Sequence, residues 1–207
     1  YYKGYLVGLP LVEVAARIPA DAAFIGVTVI FTHEWPAIVH LVDLIKQRLP
    51  DTPVVLGGEH ISSMPEFCLA TSKADILVLG EGEETIVDLA DALDSARPLA
   101  EIDGIAFRDS RGIVVNKRRR RVMEVDELAP PGWDLFDLKT YHERRYEGCM
   151  YSAALSVPIL ATRGCPYQCT FCSAPNTWTL RWVPRDPVKV VDEIEGYVRK
   201  YGAGNFP

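Results

Sequence analysis

The chain has 207 residues, 48% apolar and 24% charged, and no apolar run approaches the roughly 18 residues of a membrane span. Its net charge of −6 disfavours nucleic acid and anionic membranes as partners. No signal peptide is expected, because Tyr1-Tyr2-Lys3-Gly4 leads into no apolar stretch with a small-residue cleavage site.

From Ala23 onward, short apolar runs alternate with helical periodicity. Ala23 to Ile30 is rich in β-branched residues and reads as a buried strand. Ile38, Leu41, Val42, Ile45 and Leu49 recur at helical spacing, with Pro36 in the first turn and Pro50 as the stop. Val54-Val55-Leu56-Gly57-Gly58 is a second strand that runs into a glycine turn. A short helix is expected around Pro65 to Ala70. Ile76 to Leu79 is a third strand, ending in Gly80-Glu81-Gly82-Glu83. Ile86, Leu89, Ala90 and Leu93 mark the next helix. This alternation predicts an α/β fold with a Rossmann-like parallel sheet covered on both faces. Ligands of such sheets sit at the carboxyl ends of the strands.

Gly104 to Phe107 and Ile113 to Val115 flank Asp109-Ser110-Arg111-Gly112, a hairpin signal. Lys117 to Arg121 is a basic run, either a phosphate patch or, more commonly, a solvated loop. Pro130, Pro131 and Gly132 then mark a connector. Beyond it, Val157 to Thr162 reads as a strand. Asp186 caps a helix with Pro187 at its first position, Val190, Val191, Ile194 and Val198 form its inner stripe, and Gly202 ends it. One strand, one loop and one helix do not make a core. The sheet also enters without an obvious first strand. The sequence thus reads as an internal piece of a longer polypeptide, inactive by itself.

Three of the five cysteines, Cys165, Cys169 and Cys172, fall within eight residues as C-x3-C-x2-C. Such spacing reads as metal or redox chemistry and implies a reducing, cytoplasmic setting. Structural zinc takes four protein ligands, usually as two separated pairs. His142 would complete a Cys-Cys-Cys-His set, but it lies 23 residues before Cys165, a spacing of no common zinc site. Three thiolates on a four-iron cluster leave one iron open to a substrate or cofactor. Cys68 and Cys149 read as small buried hydrophobes.

Cys165-Pro166-Tyr167-Gln168-Cys169-Thr170-Phe171-Cys172 resembles the signature of radical S-adenosylmethionine (SAM) enzymes, in the loop after the first strand of a partial TIM-type barrel. Thr162-Arg163-Gly164 before it fits that family too. The resemblance implies a [4Fe-4S] cluster on the three cysteines. Its open iron chelates SAM, whose reductive cleavage yields a 5′-deoxyadenosyl radical. Phe171 matches the position that lies against the adenine.

The amino-terminal half resembles cobalamin-binding Rossmann-like domains, whose motifs are D-x-H-x-x-G, S-x-L and a Gly-Gly pair. Thr28-Val29-Ile30 stands where S-x-L belongs, and 26 residues lie between Ile30 and Gly57-Gly58. The D-x-H-x-x-G segment would precede Tyr1. Gly80-Glu81-Gly82-Glu83 and Pro130 to Leu135 also look like the cobalamin-dependent radical SAM family, and the domain order matches it. The resemblance implies cobalamin contacts at Thr28, Gly57, Gly58, His60, Gly80, Glu81, Gly82 and Glu83; for His60 a solvated loop position is the competing reading. It also implies residues 1–127 as the cobalamin domain, 128–150 as connector and 151–207 as the start of the radical SAM domain. The expected activity is C-methylation, or radical cyclisation or rearrangement, of a small molecule, fed by an external one-electron reductant such as flavodoxin or ferredoxin. The competing class is a non-catalytic corrinoid- or metal-binding module.

Overall fold

The computed structural model describes residues 8–144 and 154–207; Cys149, read above as a buried hydrophobe, lies outside them. These residues divide into two compact units. One runs up to Arg121 and also takes in Gln168–Thr179; the other comprises the described residues of Val122–Tyr167 and Leu180–Pro207. The first unit thus runs to Arg121, and part of the cysteine loop packs with it.

The first unit opens with α1 (Leu11–Arg17), followed by β1 (Ile25–Thr28), α2 (Trp35–Arg48), β2 (Val54–Gly57), α3 (Glu59–Ser63) and α4 (Pro65–Thr71). β3 (Ile76–Val78), α5 (Glu83–Ser95), β4 (Ile105–Asp109) and β5 (Gly112–Val115) complete the sheet. Its order is β1-β2-β3-β4-β5. β1, β2 and β3 are parallel, with Thr28 opposite Gly57 and Val55 opposite Ile76. β4 and β5 add an antiparallel hairpin, so the sheet is only partly parallel. The reason is the tight turn at Asp109 to Gly112, where Asp109 Oδ1 accepts from the Arg111 backbone N–H at 2.7 Å.

Side chains alternate between the faces with period two. Val54, Leu56, Leu77 and Ala106 join one apolar core with Leu41, Val42 and Ile45 of α2 and Leu69 of α4. Val55, Ile76, Val78, Ile105 and Phe107 join a second core with Leu89 and Ala92 of α5. Both faces are therefore covered. That is why Val54-Val55-Leu56 and Ile76-Leu77-Val78 are unbroken apolar runs. Each fully buried aliphatic side chain contributes about 1.5–3 kcal/mol.

Neither α1 nor α3 was foreseen. α1 carries Leu11, Val14, Ala15 and Ile18 at helical spacing, and all four pack into the first core. α3 is a single short helix between the glycine turn and Pro65, too brief for periodicity to show.

The second unit holds α6 (Leu138–Glu143), β6 (Thr162–Arg163), β7 (Val183–Pro184) and α8 (Pro187–Tyr201); α7 (Ala174–Trp178) belongs to the first. The expected strand from Val157 to Thr162 is not a continuous strand. Only Thr162 and Arg163 pair, antiparallel with β7. Upstream, Ser156 forms a parallel bridge with Asn205, and Val157 N–H donates to the Asn205 carbonyl at 2.9 Å. α8 begins and ends as its residues dictate. Asp186 accepts from the Val188 N–H at 2.8 Å, and Gly202 takes the left-handed conformation at φ 68°. The inner face differs from the expected stripe. Tyr197 is the buried residue and packs with Val157 and Ala203, whereas Val191 is 54% and Val198 46% exposed. Arg185, just before α8, ties the helix to the Val125–Glu127 turn by pairing with Asp126 at 2.8 Å and with Glu193 of α8 at 2.7 Å. No helix among the described residues is long and apolar enough to cross a membrane.

Candidate cofactor-binding site

The carboxyl ends of β1, β2 and β3 lie side by side, so the fold gathers Thr28, Gly57, Gly58, His60 and the Gly80–Glu83 turn along one sheet edge. Val29 N–H continues the ladder to the Gly57 carbonyl at 2.7 Å. Ser62 then ties the two glycine turns together. Its hydroxyl donates to the Gly58 carbonyl at 3.0 Å and accepts from the Gly80 N–H at 2.9 Å. Ser62 escaped the sequence reading because α3 did.

The two glycines of the pair do different work. Gly58 sits at φ 111°, and a Cβ there would stand 2.5 Å from the Val29 carbonyl oxygen. A Cβ on Gly57 meets only ordinary contacts at 3.8 Å. Gly80 is also left-handed, at φ 75°. Gly82 precedes α5, and Glu83 and Glu84 occupy its first turn, where acidic groups are favoured.

His60 is not a solvated loop residue. It lies in α3 and is 3% exposed. Its ring rests 5.1 Å from Trp35 and 6.5 Å, edge-on, from Phe67. Nδ1 is 3.1 Å from the Thr32 hydroxyl, while Nε2 is buried without a hydrogen-bond partner. Burial lowers its pKa below the usual 6.5, which favours the neutral ring. Thr28, by contrast, is exposed at the edge.

Nor is the basic run a free loop. It returns along the edge and packs against the Gly80 turn. Arg121 and Glu81 form an ion pair at 3.4 Å, with side chains only 9% and 5% exposed. Arg119 pairs with Asp88, and Arg97 pairs with the same carboxylate. Both guanidiniums hold the Asp88 carboxyl below its ordinary range. Glu81 thus has an internal partner that the sequence did not announce.

Of the cysteine loop, Cys165 is half-buried in the second unit, while Cys169 and Cys172 are exposed and belong to the first. All three are free thiols. Cys172 N–H bonds to the Cys169 carbonyl at 3.1 Å, closing a turn. Phe171 is 91% exposed. Among the described residues no three His, Cys, Asp or Glu side chains come together in a metal-holding group. Cys68 is buried, as expected, which pushes its thiol up to about 11.

Comparison with known proteins fits this geometry. Residues 10–90 match the B12 binding domain family. The chain is 32% identical over 176 residues to the anaerobic magnesium-protoporphyrin IX monomethyl ester cyclase of Synechocystis sp., covering 84% of this chain and 34% of the cyclase. It is 29% identical over 161 residues to the cobalamin-dependent radical SAM methyltransferase TokK of Streptomyces tokunonensis, covering 75% of this chain and 23% of TokK. The fold is shared with the radical SAM methyltransferase TsrM of Kitasatospora setae, at a TM-score of 0.68 and 24% identity over 95% of this chain and 38% of TsrM. The chain therefore spans about a third of the cyclase and a quarter of TokK. Residues 10–90 thus form a B12-binding domain, within a chain that is homologous over most of its length to a cobalamin-dependent radical SAM methyltransferase and to an anaerobic magnesium-protoporphyrin IX monomethyl ester cyclase.

Proposed function

We propose that this chain belongs to a cobalamin-dependent radical SAM enzyme that methylates, cyclises or rearranges a small organic substrate in the cytoplasm. The observation that carries the reading is the pairing, in one chain, of a B12-binding domain with a C-x3-C-x2-C loop. Neither feature alone specifies it.

The donor set fits a [4Fe-4S] cluster: three free thiols at close spacing, two of them exposed. Cys165, Cys169 and Cys172 would hold it, and Phe171, already exposed beside them, would lie against the adenine of SAM. The cluster supplies the electron for SAM cleavage, delivered by flavodoxin or ferredoxin. The glycine edge fits cobalamin: Gly57 leaves room for close approach, Gly58 sets the turn, and the neutral His60 and Thr28 flank it. One isolated parallel bridge joins Ser156 to Asn205, on either side of α8 in the sequence, and this parallel pairing around a helix supports reading the last fifty residues as the start of a TIM-type barrel.

Anaerobic reconstitution with iron and sulfide is expected to give broad absorption at about 400 nm, as thiolate-held clusters do. Tight zinc binding without that band would overturn the reading. In the intact protein, Cys169→Ala is expected to abolish 5′-deoxyadenosine formation, measured by chromatography; retained cleavage contradicts the ligand assignment.

A further inference from the structure

The segment just after the third cysteine lies on the proposed cobalamin edge. α7 packs against α3, and its Thr177 is 5% exposed. The Thr177 hydroxyl donates to the Glu59 carboxylate, the residue directly after the Gly-Gly pair. The Thr177 carbonyl accepts from the Arg118 guanidinium. The Arg121 guanidinium lies over the Trp178 ring, 5.7 Å from its centroid. All of these groups belong to the first unit.

The consequence is a filled edge. A Cβ on Gly80 would stand 3.9 Å from the Thr177 carbonyl oxygen and 3.8 Å from Arg118. The cleft bounded by Gly80, Glu81, Thr177 and the arginines has a volume of about 10 Å³, room for one water. Pockets for sizeable ligands span roughly 300–1,000 Å³. A corrin ring cannot reach the Gly80 turn while α7 is seated there.

We infer that α7 is a latch: it covers part of the cobalamin edge and leaves it when cobalamin binds. This rests on the cobalamin reading above. The polar ties are suited to reversal, since Glu59, Arg118 and Arg121 are charged groups that water or ligand amides can satisfy once α7 lifts. Because α7 follows Cys172 by two residues, loading one cofactor site moves the segment attached to the other. A closed latch lowers apparent affinity by the fraction of molecules that are open.

The test is titration of the intact protein with hydroxocobalamin, followed by absorption, for wild type, Thr177→Val and Trp178→Ala. Circular dichroism verifies folding, and Thr177→Val, nearly isosteric, suffices if Trp178→Ala does not fold. Loss of one hydrogen bond to a charged group is expected to tighten binding by about tenfold. In wild type, amides of residues 174–180 are expected to exchange hydrogen faster with cobalamin bound than without. Equal or weaker binding by the variants, or slower exchange of that segment, overturns the latch alone. No cobalamin retained by any of the three overturns the cobalamin reading and the latch with it.

Discussion

Gly58 and His60 show how much of this edge is set by single atoms. At Gly58 a methyl group would meet the Val29 carbonyl at 2.5 Å in a left-handed conformation. Gly58→Ala is expected to destabilise the first unit by about 2 kcal/mol or more, read from urea unfolding. His60 carries a pH signature. Its pKa is lowered by burial, so the unfolded chain takes up its proton more readily than the folded one. The linked stability is intact above the usual value of 6.5, falls as the pH drops below it, and levels off beneath the folded value. His60→Asn, which keeps a polar group near Thr32, is expected to lose stability less steeply than wild type as the pH falls below about 6.5 in denaturant titrations. The glycine turns were legible in the sequence because few residues besides glycine adopt their backbone. The burial of His60 was not, since its walls, Trp35 and Phe67, come from two other helices.

Whole elements were legible where their ends carry chemistry. Asp186-Pro187 and Gly202 fixed both ends of α8 from sequence alone, because a cap satisfies specific backbone groups. Asp186→Ala is expected to cost about 1 kcal/mol of stability in thermal or denaturant unfolding. The buried face of α8 was misjudged by counting aliphatics: Tyr197 packs inward, and its burial, with the hydrogen bond its hydroxyl donates to Glu193 at 2.5 Å, pushes that hydroxyl up to about 12. The end of α4 is held from a distance. Arg108 on β4 donates to the carbonyls of Ser72 at 2.5 Å and Ala74 at 2.6 Å, and also to that of Leu69. Arg108→Met is expected to fray α4, costing about 1–2 kcal/mol, with faster amide exchange confined to that helix and its following turn. No local pattern announces such a clasp, because donor and acceptors lie more than thirty residues apart.

At the scale of the molecule, the two units differ in how much they bury. The first has two extensive cores, one on each face of its sheet, while the second centres on Val157, Tyr197 and Ala203. Hydrogen exchange is therefore expected to divide the chain: amides of β2 and β3 exchange slowest, and those of α8 and Val157 open at lower free energy. Uniform protection across both units contradicts this. The alternation of strand and helix revealed the sheet in advance, since only a doubly covered strand reads as an unbroken apolar run. The inward turn of Arg119 and Arg121 was hidden, because their partners Asp88 and Glu81 lie on other segments.

The glycine pair has a use beyond this molecule. Gly58 is demanded by the chain's own carbonyl at Val29, whereas a Cβ on Gly57 would meet only ordinary contacts with Val78 at 3.8 Å. On the proposed reading, the second glycine is a signature of the architecture and the first a signature of the guest. A homologue with alanine at the first position and glycine at the second would be a scaffold with its berth narrowed, and Gly57→Ala in this chain would convert one into the other without touching the frame.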